Sequence, residues 1–154
     1  MVTIVAYTPE YAQAFRDLNL AWIKKYFVVE PIDLKSLDHP GKIIANGGQI
    51  FIALLGGHAV GACALVPMPA EDEYDYELSK MAVDPSAQGH GIGYQLAMKI
   101  LDQARQLGAR TVYLESNAIL KPALKLYEKV GFVYLDHRTS AYERADVFMV
   151  CELS

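Results

Sequence analysis

The segment of the chain with the most evident chemistry is Leu78–Gly93, LSKMAVDPSAQGHGIG. Its glycines at 89, 91 and 93 alternate with other residues where a strand-like run gives way to a helix-like one. Glycine permits a positive φ and lets a ligand approach the main chain closely. Amide groups at a helix start lack partners within the helix, and the positive end of the helix dipole lies there. The pattern therefore predicts an anion site, most naturally for a phosphate or pyrophosphate.

Two common phosphate-binding motifs do not fit this segment. A P-loop requires GxxxxGK[ST], and no Lys-Ser or Lys-Thr pair follows these glycines. A dinucleotide fingerprint requires GxGxxG directly after the strand, with an acid about 20 residues further on. Glu115 could serve as that acid, but the glycines are spaced GxGxG and residues 84–88 separate them from the strand. A nicotinamide or flavin dinucleotide is therefore disfavoured.

Composition limits the class of protein. The chain has 154 residues, 53% of them hydrophobic and 21% charged, which predicts one domain spanning 1–154 with a substantial core. The net charge of −4 disfavours a nucleic-acid partner. The two cysteines, Cys63 and Cys151, stand far apart and outside any ligand cluster. We therefore expect no metal site, no disulfide framework and a reducing, cytoplasmic environment.

One apolar stretch has the length of a membrane span but not its pattern. Residues 43–70 carry no Asp, Glu, Lys or Arg, and the stretch exceeds the roughly 20 residues that a spanning helix needs. However, Gly47-Gly48 and Gly56-Gly57 divide it into two strand-length runs, which is typical of a buried hairpin. The first residues lack the basic and apolar regions of a signal peptide, so we expect no membrane association.

Periodicity and turn residues predict the elements that position the glycine segment. The predicted strands are at 3–7, at two places between 50 and 68, and at 74–83, 111–115, 132–136 and 146–152. The predicted helices run from 9 to about 26, around 33–38 ending before Pro40-Gly41, and at 91–107 and 122–130. Three consecutive strands followed by alternating helices and strands fit an α/β protein, a mixed sheet with helices on both faces.

The same segments resemble a known family. Gln88-Gly89-His90-Gly91-Ile92-Gly93 matches the signature Gln/Arg-x-x-Gly-x-Gly/Ala of the GNAT superfamily of N-acetyltransferases at every fixed position. ELSKMAVDPSAQGHGIGYQL resembles the fourth strand and phosphate helix of that family, TVYLESN its fifth strand, and ALKLYEKVGF the helix that follows. The resemblance implies a central mixed sheet of six to seven strands, about four helices, and an acetyl-CoA wedge between strands 4 and 5.

The resemblance also implies how acetyl-CoA is held as cosubstrate. Amides of the glycine turn would bind the pyrophosphate, Gln88 would order that turn, and the fourth strand would pair with the pantetheine arm. Such fixation holds the thioester in one place, which makes the reaction nearly unimolecular. The implied cofactor-binding residues are Met81, Ala82, Val83, Gln88, Gly89, His90, Gly91, Ile92, Gly93 and Asn117.

The implied reaction is direct attack of a neutral primary amine on the thioester carbonyl. This reaction needs a base for the amine and an acid for the departing thiolate. Tyr127, in LYEKVGF, stands where the family places its acid, although its helical spacing is also typical of core packing. Glu77 at the start of the fourth strand is the expected base, with Glu30 as its rival. On a regular strand Glu77 and Met81 share one face and Lys80 points to the other. His90 is expected to pack or face solvent.

The acceptor stays open at this stage between a small amine, a polyamine, an amino acid, an antibiotic and a protein α-amine. Trp22, Tyr26 and Phe27 could wall an amine pocket or belong to the core. The acidic residues between 71 and 77 would favour a cationic acceptor if they border the cleft. A catalytically weak acyl-CoA sensor of the same fold is the alternative function. Edge strands near the C-terminus make a homodimer plausible.

Overall fold

Seven strands form one mixed sheet in the computed structural model, which describes residues 1–154. The strands are β1 (Val2–Ala6), β2 (Gln49–Leu55), β3 (His58–Pro67), β4 (Tyr76–Val83), β5 (Thr111–Ser116), β6 (Val133–Tyr134) and β7 (Val147–Glu152). Their order across the sheet is β1-β2-β3-β4-β5-β7-β6. All neighbours are antiparallel except β4 and β5, which run parallel. The expected mixed α/β sheet is thereby confirmed.

Five helices accompany the sheet, one more than expected. They are α1 (Ala12–Tyr26), α2 (Pro31–Leu37), α3 (Pro40–Ala45), α4 (Ile92–Gln106) and α5 (Lys121–Val130). The predicted helix around 33–38 is confirmed as α2, which ends at Leu37, before Pro40-Gly41, but α3 was not predicted, and Pro40 begins it. Proline has no amide hydrogen to lose in the first turn, and its fixed φ suits that position.

The helices cover both faces of the sheet, as expected. On one face α4 and α5 pack on the inner strands, and on the other α1 and α2 do so. The first core includes Phe51, Cys63, Leu65, Leu96, Ile100, Leu101 and Leu114, and the second Phe15, Leu20, Ile23, Leu37, Ile50, Ile52 and Ala62.

The apolar stretch 43–70 forms the end of α3 and the hairpin of β2 and β3. Gly56 and Gly57 have φ values of +58° and +81° and make the two-residue turn that the sequence predicts. None of the helices combines the length and apolarity that crossing a membrane requires.

A bulge in β4 overturns the expected alternation of its side chains. Ala64 pairs with Ser79, and Ala62 pairs with Ala82. Lys80 and Met81 on β4 therefore lie opposite the single residue between Ala62 and Ala64 on β3. Lys80 takes a φ of +55°, the only non-glycine residue with positive φ. Such a bulge redirects side chains locally. The prediction that Lys80 points away from the face of Glu77 was wrong, since both side chains line the same cavity.

The C-terminal strands are shorter than predicted. The predicted strand 132–136 contains only the two residues of β6, and residues 135–146, hereafter the β6–β7 segment, form no helix or strand. Its side chains instead contact the mouth of the wedge, as described below.

Close packing of α4 on β3 depends on Gly61. A Cβ at this position would lie 2.9 Å from Ile92 Cγ2 and 3.3 Å from Ala53 Cβ. We therefore expect Gly61→Ala to lower the free energy of unfolding by about 1–3 kcal/mol, because a filled core must shift to admit the methyl group. Urea denaturation measures this change.

The matched control is Gly41→Ala in α3, where a Cβ would meet no atom within 4 Å. It should leave stability unchanged or raise it by up to about 1 kcal/mol. Equal effects of the two substitutions would contradict the close approach of α4.

Candidate active site

The sheet opens between β4 and β5. These strands pair only at Tyr76 with Val112 and Glu77 with Tyr113, after which they diverge. Each strand keeps its other neighbour, since β4 pairs with β3 up to Val83 and β5 pairs with β7 along its whole length. The facing edges of β4 and β5 are thus free to pair with an inserted ligand. The expected wedge is present.

The glycine turn lies directly after β4 and leads into α4. Gly89 and Gly91 have φ values of +89° and +67°, and a Cβ at either position would meet no atom within 4 Å. The first hydrogen bond of α4 runs from the amide of Gln95 to the carbonyl of Gly91 (3.0 Å), so the amides of residues 92–94 have no partner within the helix. Exposed amides at a positive helix end, reached through open space, fit a pyrophosphate.

Residues of the motif have unequal roles in this turn. The side chains of Gln88 and His90 are exposed, in line with the expectation for His90. The side chain of Gln88 makes no hydrogen bond with the protein, and its role in ordering the turn stays a prediction. Asp84 fixes the residues just before the turn, accepting hydrogen bonds from the amide and hydroxyl of Ser86 (both 2.9 Å).

The last two motif residues serve helix packing. Ile92 is buried in the first core. Gly93 faces α5, where a Cβ would lie 3.1 Å from Leu126 Cδ2. Only the main chain of these two residues is therefore available to a ligand.

A cavity of about 110 Å³ lies at the base of the wedge, between β4, β5, α1 and the β6–β7 segment. Residues of the wedge and of α1 line it, and the polar ones are Asn19, Asp33, Glu77, Ser79, Lys80, Glu115, Ser116, Asn117, Tyr127, Tyr142 and Arg144. Trp22 and Phe27 also line it, whereas Tyr26 does not. Of the five acids at 71–77, only Glu77 borders the cavity, so the condition under which this set would favour a cationic acceptor is not met.

Glu77 has the properties of a general base. Its side chain is partly buried in the cavity wall, and burial followed by the nearby carboxylate of Glu115 raises its pKa to about 7. Lys80 opposes this shift. A carboxylate with a pKa near neutrality is ionised in part at physiological pH and accepts a proton readily.

Tyr127 has the properties of a proton donor. It is buried with only 8% of its surface exposed and packs edge-on against Phe132 at 5.9 Å between ring centroids. No protein group hydrogen-bonds its hydroxyl, and burial raises its pKa, so the phenol stays protonated. The ring packs in the core and also lines the cavity, so the packing interpretation is confirmed and the acid role stays a prediction.

The predicted pantetheine contacts lie along the wedge. Met81 lines the cavity, and Ala82 and Val83 pair with β3 on their other side. Asn117 also lines the cavity, but its side chain is engaged, since Nδ2 donates to the Arg144 carbonyl (2.6 Å) and Oδ1 accepts from the Ile119 amide (2.9 Å).

Glu30, the rival base, lies outside the cavity lining. Its carboxylate accepts hydrogen bonds from Arg144 Nη1 (3.2 Å) and from the amide of Glu143 (3.1 Å). Arg144 also binds both oxygens of the buried Asp33, at 2.5 and 2.9 Å. Burial opposes ionisation of Asp33, but these hydrogen bonds keep its pKa below the ordinary value. Glu30 and Asp33 therefore bind the β6–β7 segment to α2.

The β6–β7 segment supplies site residues that the sequence analysis missed. Ser140 Oγ donates to Glu115 (2.5 Å), Tyr142 Oη accepts from Lys80, and Arg138 pairs with Asp72 (2.9 Å). The length and composition of this segment are the sequence signals that could have identified it as part of the site. A connection of this size, with five charged residues among its twelve, is longer than most hairpin loops and typical of a functional loop.

Comparison with protein families identifies the class. Residues 11–132 match the acetyltransferase (GNAT) family, and the chain therefore belongs to it. Enzymes of this family transfer an acetyl group from acetyl-CoA to an amine, which is the reaction that the motif at 88–93 implies. The resemblance stated from the sequence is confirmed.

Three relatives illustrate the range of the family. The uncharacterized N-acetyltransferase YjgM of Escherichia coli is 31% identical over 81% of this chain and 73% of its own length. The N-alpha-acetyltransferase RimI of Mycobacterium tuberculosis is 37% identical over 56% of this chain and 53% of its own length. Human N-acetylaspartate synthetase is 34% identical over 81% of this chain, but the match spans only 36% of that enzyme.

Solved structures agree with the fold. A GNAT acetyltransferase of Staphylococcus aureus superimposes with a TM-score of 0.88 at 20% identity, over the whole of both chains. The acetyltransferase yncA of Salmonella typhimurium, solved with acetyl-CoA, superimposes with a TM-score of 0.79 at 19% identity over 100% of this chain and 95% of that one.

A substitution in the glycine turn tests its role as the pyrophosphate site. In Gly91→Ala the new Cβ projects into the open space where the ligand would lie. We expect the Kd for acetyl-CoA to rise about tenfold or more, because hydrogen bonds to a charged group are lost. Isothermal titration with acetyl-CoA measures this loss.

Gly108→Ala is the matched control, because Gly108 also has a positive φ (+79°) and open space around it but lies at the far end of α4. Both substitutions should cost about 1–2 kcal/mol of stability through backbone strain. Equal affinity for acetyl-CoA in the two variants would exclude the turn from the site.

Proposed function

We propose that this chain, an acetyl-CoA-dependent N-acetyltransferase, acetylates a primary amine by direct attack, with Glu77 as general base and Tyr127 as general acid. The observation that carries the proposal is that Glu77 on β4 and Tyr127 on α5 line one cavity at the base of the wedge. A carboxylate of raised pKa and a protonated phenol are the pair of groups that this reaction needs.

In the proposed reaction the amine displaces CoA from the acetyl group. The amine nitrogen bonds to the thioester carbonyl carbon and loses a proton to Glu77, directly or through water. The carbon–sulfur bond then breaks, and the Tyr127 hydroxyl gives its proton to the departing thiolate. Exchange with solvent returns a proton to Tyr127 and removes one from Glu77. The products are the N-acetylated amine and CoA.

Binding of acetyl-CoA in this proposal uses main-chain groups. The amides from Gly89 to Gly93 hold the pyrophosphate, and the free edge of Met81–Val83 pairs with the pantetheine arm as an added strand would. Asn117 contributes by fixing the Arg144 carbonyl at the rim of the cavity. Gln88 and His90 contribute their backbone, since their side chains are exposed.

Four further expectations belong to the same proposal. The chain acts as one catalytic domain over 1–154, in the cytoplasm, where Cys63 and Cys151 stay as the free thiols seen here. Its partner is an amine rather than a nucleic acid, in keeping with its net charge of −4. A homodimer through the exposed edge strand β6 is compatible with the fold. The sensor alternative is not favoured, because the groups required for turnover line the cavity.

Removal of the Tyr127 hydroxyl tests the acid. Tyr127→Phe keeps the ring and its packing, so we expect kcat to fall about 100-fold while KM for acetyl-CoA stays unchanged. The matched control is Tyr134→Phe, because the exposed Tyr134 hydroxyl bonds only to Glu128 (2.6 Å). Release of CoA thiol measures both rates, and full activity of Tyr127→Phe would remove the acid role.

The pH dependence of kcat tests the base. Glu77 must be ionised to accept a proton, so kcat should rise with pH through an apparent pKa of about 7 and level above it. In Glu77→Gln this rise of kcat with pH should disappear, and kcat should fall about 100-fold. In Glu115→Gln the negative charge next to Glu77 is removed, so the rise of kcat should shift to lower pH.

Measurements of kcat at saturating acceptor, between pH 5.5 and 9, separate these outcomes. If kcat of Glu77→Gln still rises with pH through the same range, the titration belongs to another group. If the rise does not shift in Glu115→Gln, the two carboxylates are not coupled.

A further inference from the structure

Lys80 is a cation in the cavity that makes no direct ion pair. Its side chain lines the cavity, and it forms no ion pair with any acid of the protein. Its ammonium donates one hydrogen bond, to the Tyr142 hydroxyl, and lies 4.8 Å from the centroid of that ring. A partly buried ammonium group with one neutral partner has donors to spare for a ligand.

The backbone at Lys80 is strained to place this group. A positive φ is costly for a residue with a side chain, and such strain persists where the surroundings impose it, often at ligand sites. The bulge that creates the strain directs Lys80 into the cavity that Glu77 also lines. A regular strand would place the two side chains on opposite faces.

The other cation of the cavity, Arg144, differs in this respect. Its guanidinium binds both oxygens of Asp33 and one of Glu30, so its charge is neutralised by the protein itself. It has no comparable capacity for an anionic ligand. Lys80 is therefore the cation of the cavity without a direct ion pair, and it lies on the same strand as Glu77.

We propose that the acceptor is a small amino acid–like molecule whose carboxylate binds Lys80 while its amine faces Glu77. This inference rests on the proposed function and names the class of its acceptor. A polyamine would place a second positive charge near Lys80, which is unfavourable. A protein N-terminus generally presents an amide, not a carboxylate, next to its amine. Of the acceptors that the sequence left open, the free amino acid fits this pair of groups.

The test compares each proteinogenic amino acid with its carboxamide, and includes spermidine as a polycation. The intact chain is assayed by CoA release with saturating acetyl-CoA. For at least one amino acid we expect kcat/KM to exceed that of its carboxamide by roughly 30-fold or more, the scale of a desolvated charge pair. Spermidine should be a poor acceptor.

Substitution of Lys80 assigns this preference to the residue. Lys80→Gln should raise KM for the free acid by roughly 30-fold and leave KM for the carboxamide and for acetyl-CoA unchanged. Lys80→Arg restores a cation and should retain most of the preference. Lys42→Gln, at an exposed position of α3, removes the same charge away from the cavity and should change neither KM.

The outcomes separate this inference from the proposed function. If amines are acetylated but carboxamides or spermidine serve as well as free acids, the inference is wrong and the N-acetyltransferase proposal stands. If Lys80→Gln impairs acid and amide equally while its melting temperature is unchanged, Lys80 positions the β6–β7 segment and does not bind the carboxylate. If the chain neither binds acetyl-CoA nor acetylates any amine, both proposals fail.

Discussion

The early separation of β4 from β5 is the constraint on which the rest of the structure depends. Parallel strands that stayed paired would satisfy their backbone groups with each other and leave no edge for a ligand. Here pairing ends after Glu77 and Tyr113, while β3 and β7 hold the outer edges of the two strands. Each strand is thus anchored on its outer side, and the unpaired backbone inside the sheet is available to a ligand that can act as a strand.

Burial of charge beside this opening sets its chemistry. Glu77 and Glu115 lie on the two diverging strands, and the carboxylate of Glu115 makes ionisation of Glu77 less favourable. The protein partly offsets this repulsion, with Lys80 near Glu77 and with hydroxyl groups of Tyr113 and Ser140 on Glu115. Perturbed carboxylates of this kind are more common at functional sites than elsewhere.

The β6–β7 segment completes the cavity through ion pairs rather than regular structure. Arg144 joins it to Asp33 on α2, and Arg138 joins it to Asp72 in the loop before β4. Because Asp33 is fully buried, loss of Arg144 would leave an unpaired charge in the interior, which is strongly unfavourable. These pairs hold the segment in place although no ladder of backbone hydrogen bonds runs along it.

The sequence by itself determined the features whose causes are local. Helices, strands and the hairpin follow from periodicity and turn residues, and the glycine turn follows from the spacing at 88–93. Tertiary structure alone decided the rest of the site. The bulge at Lys80 arises from pairing with β3, and Lys80 meets Tyr142 across 62 positions of the chain. Residues so distant come together only when the sheet has assembled, and no pattern within one segment encodes their contact.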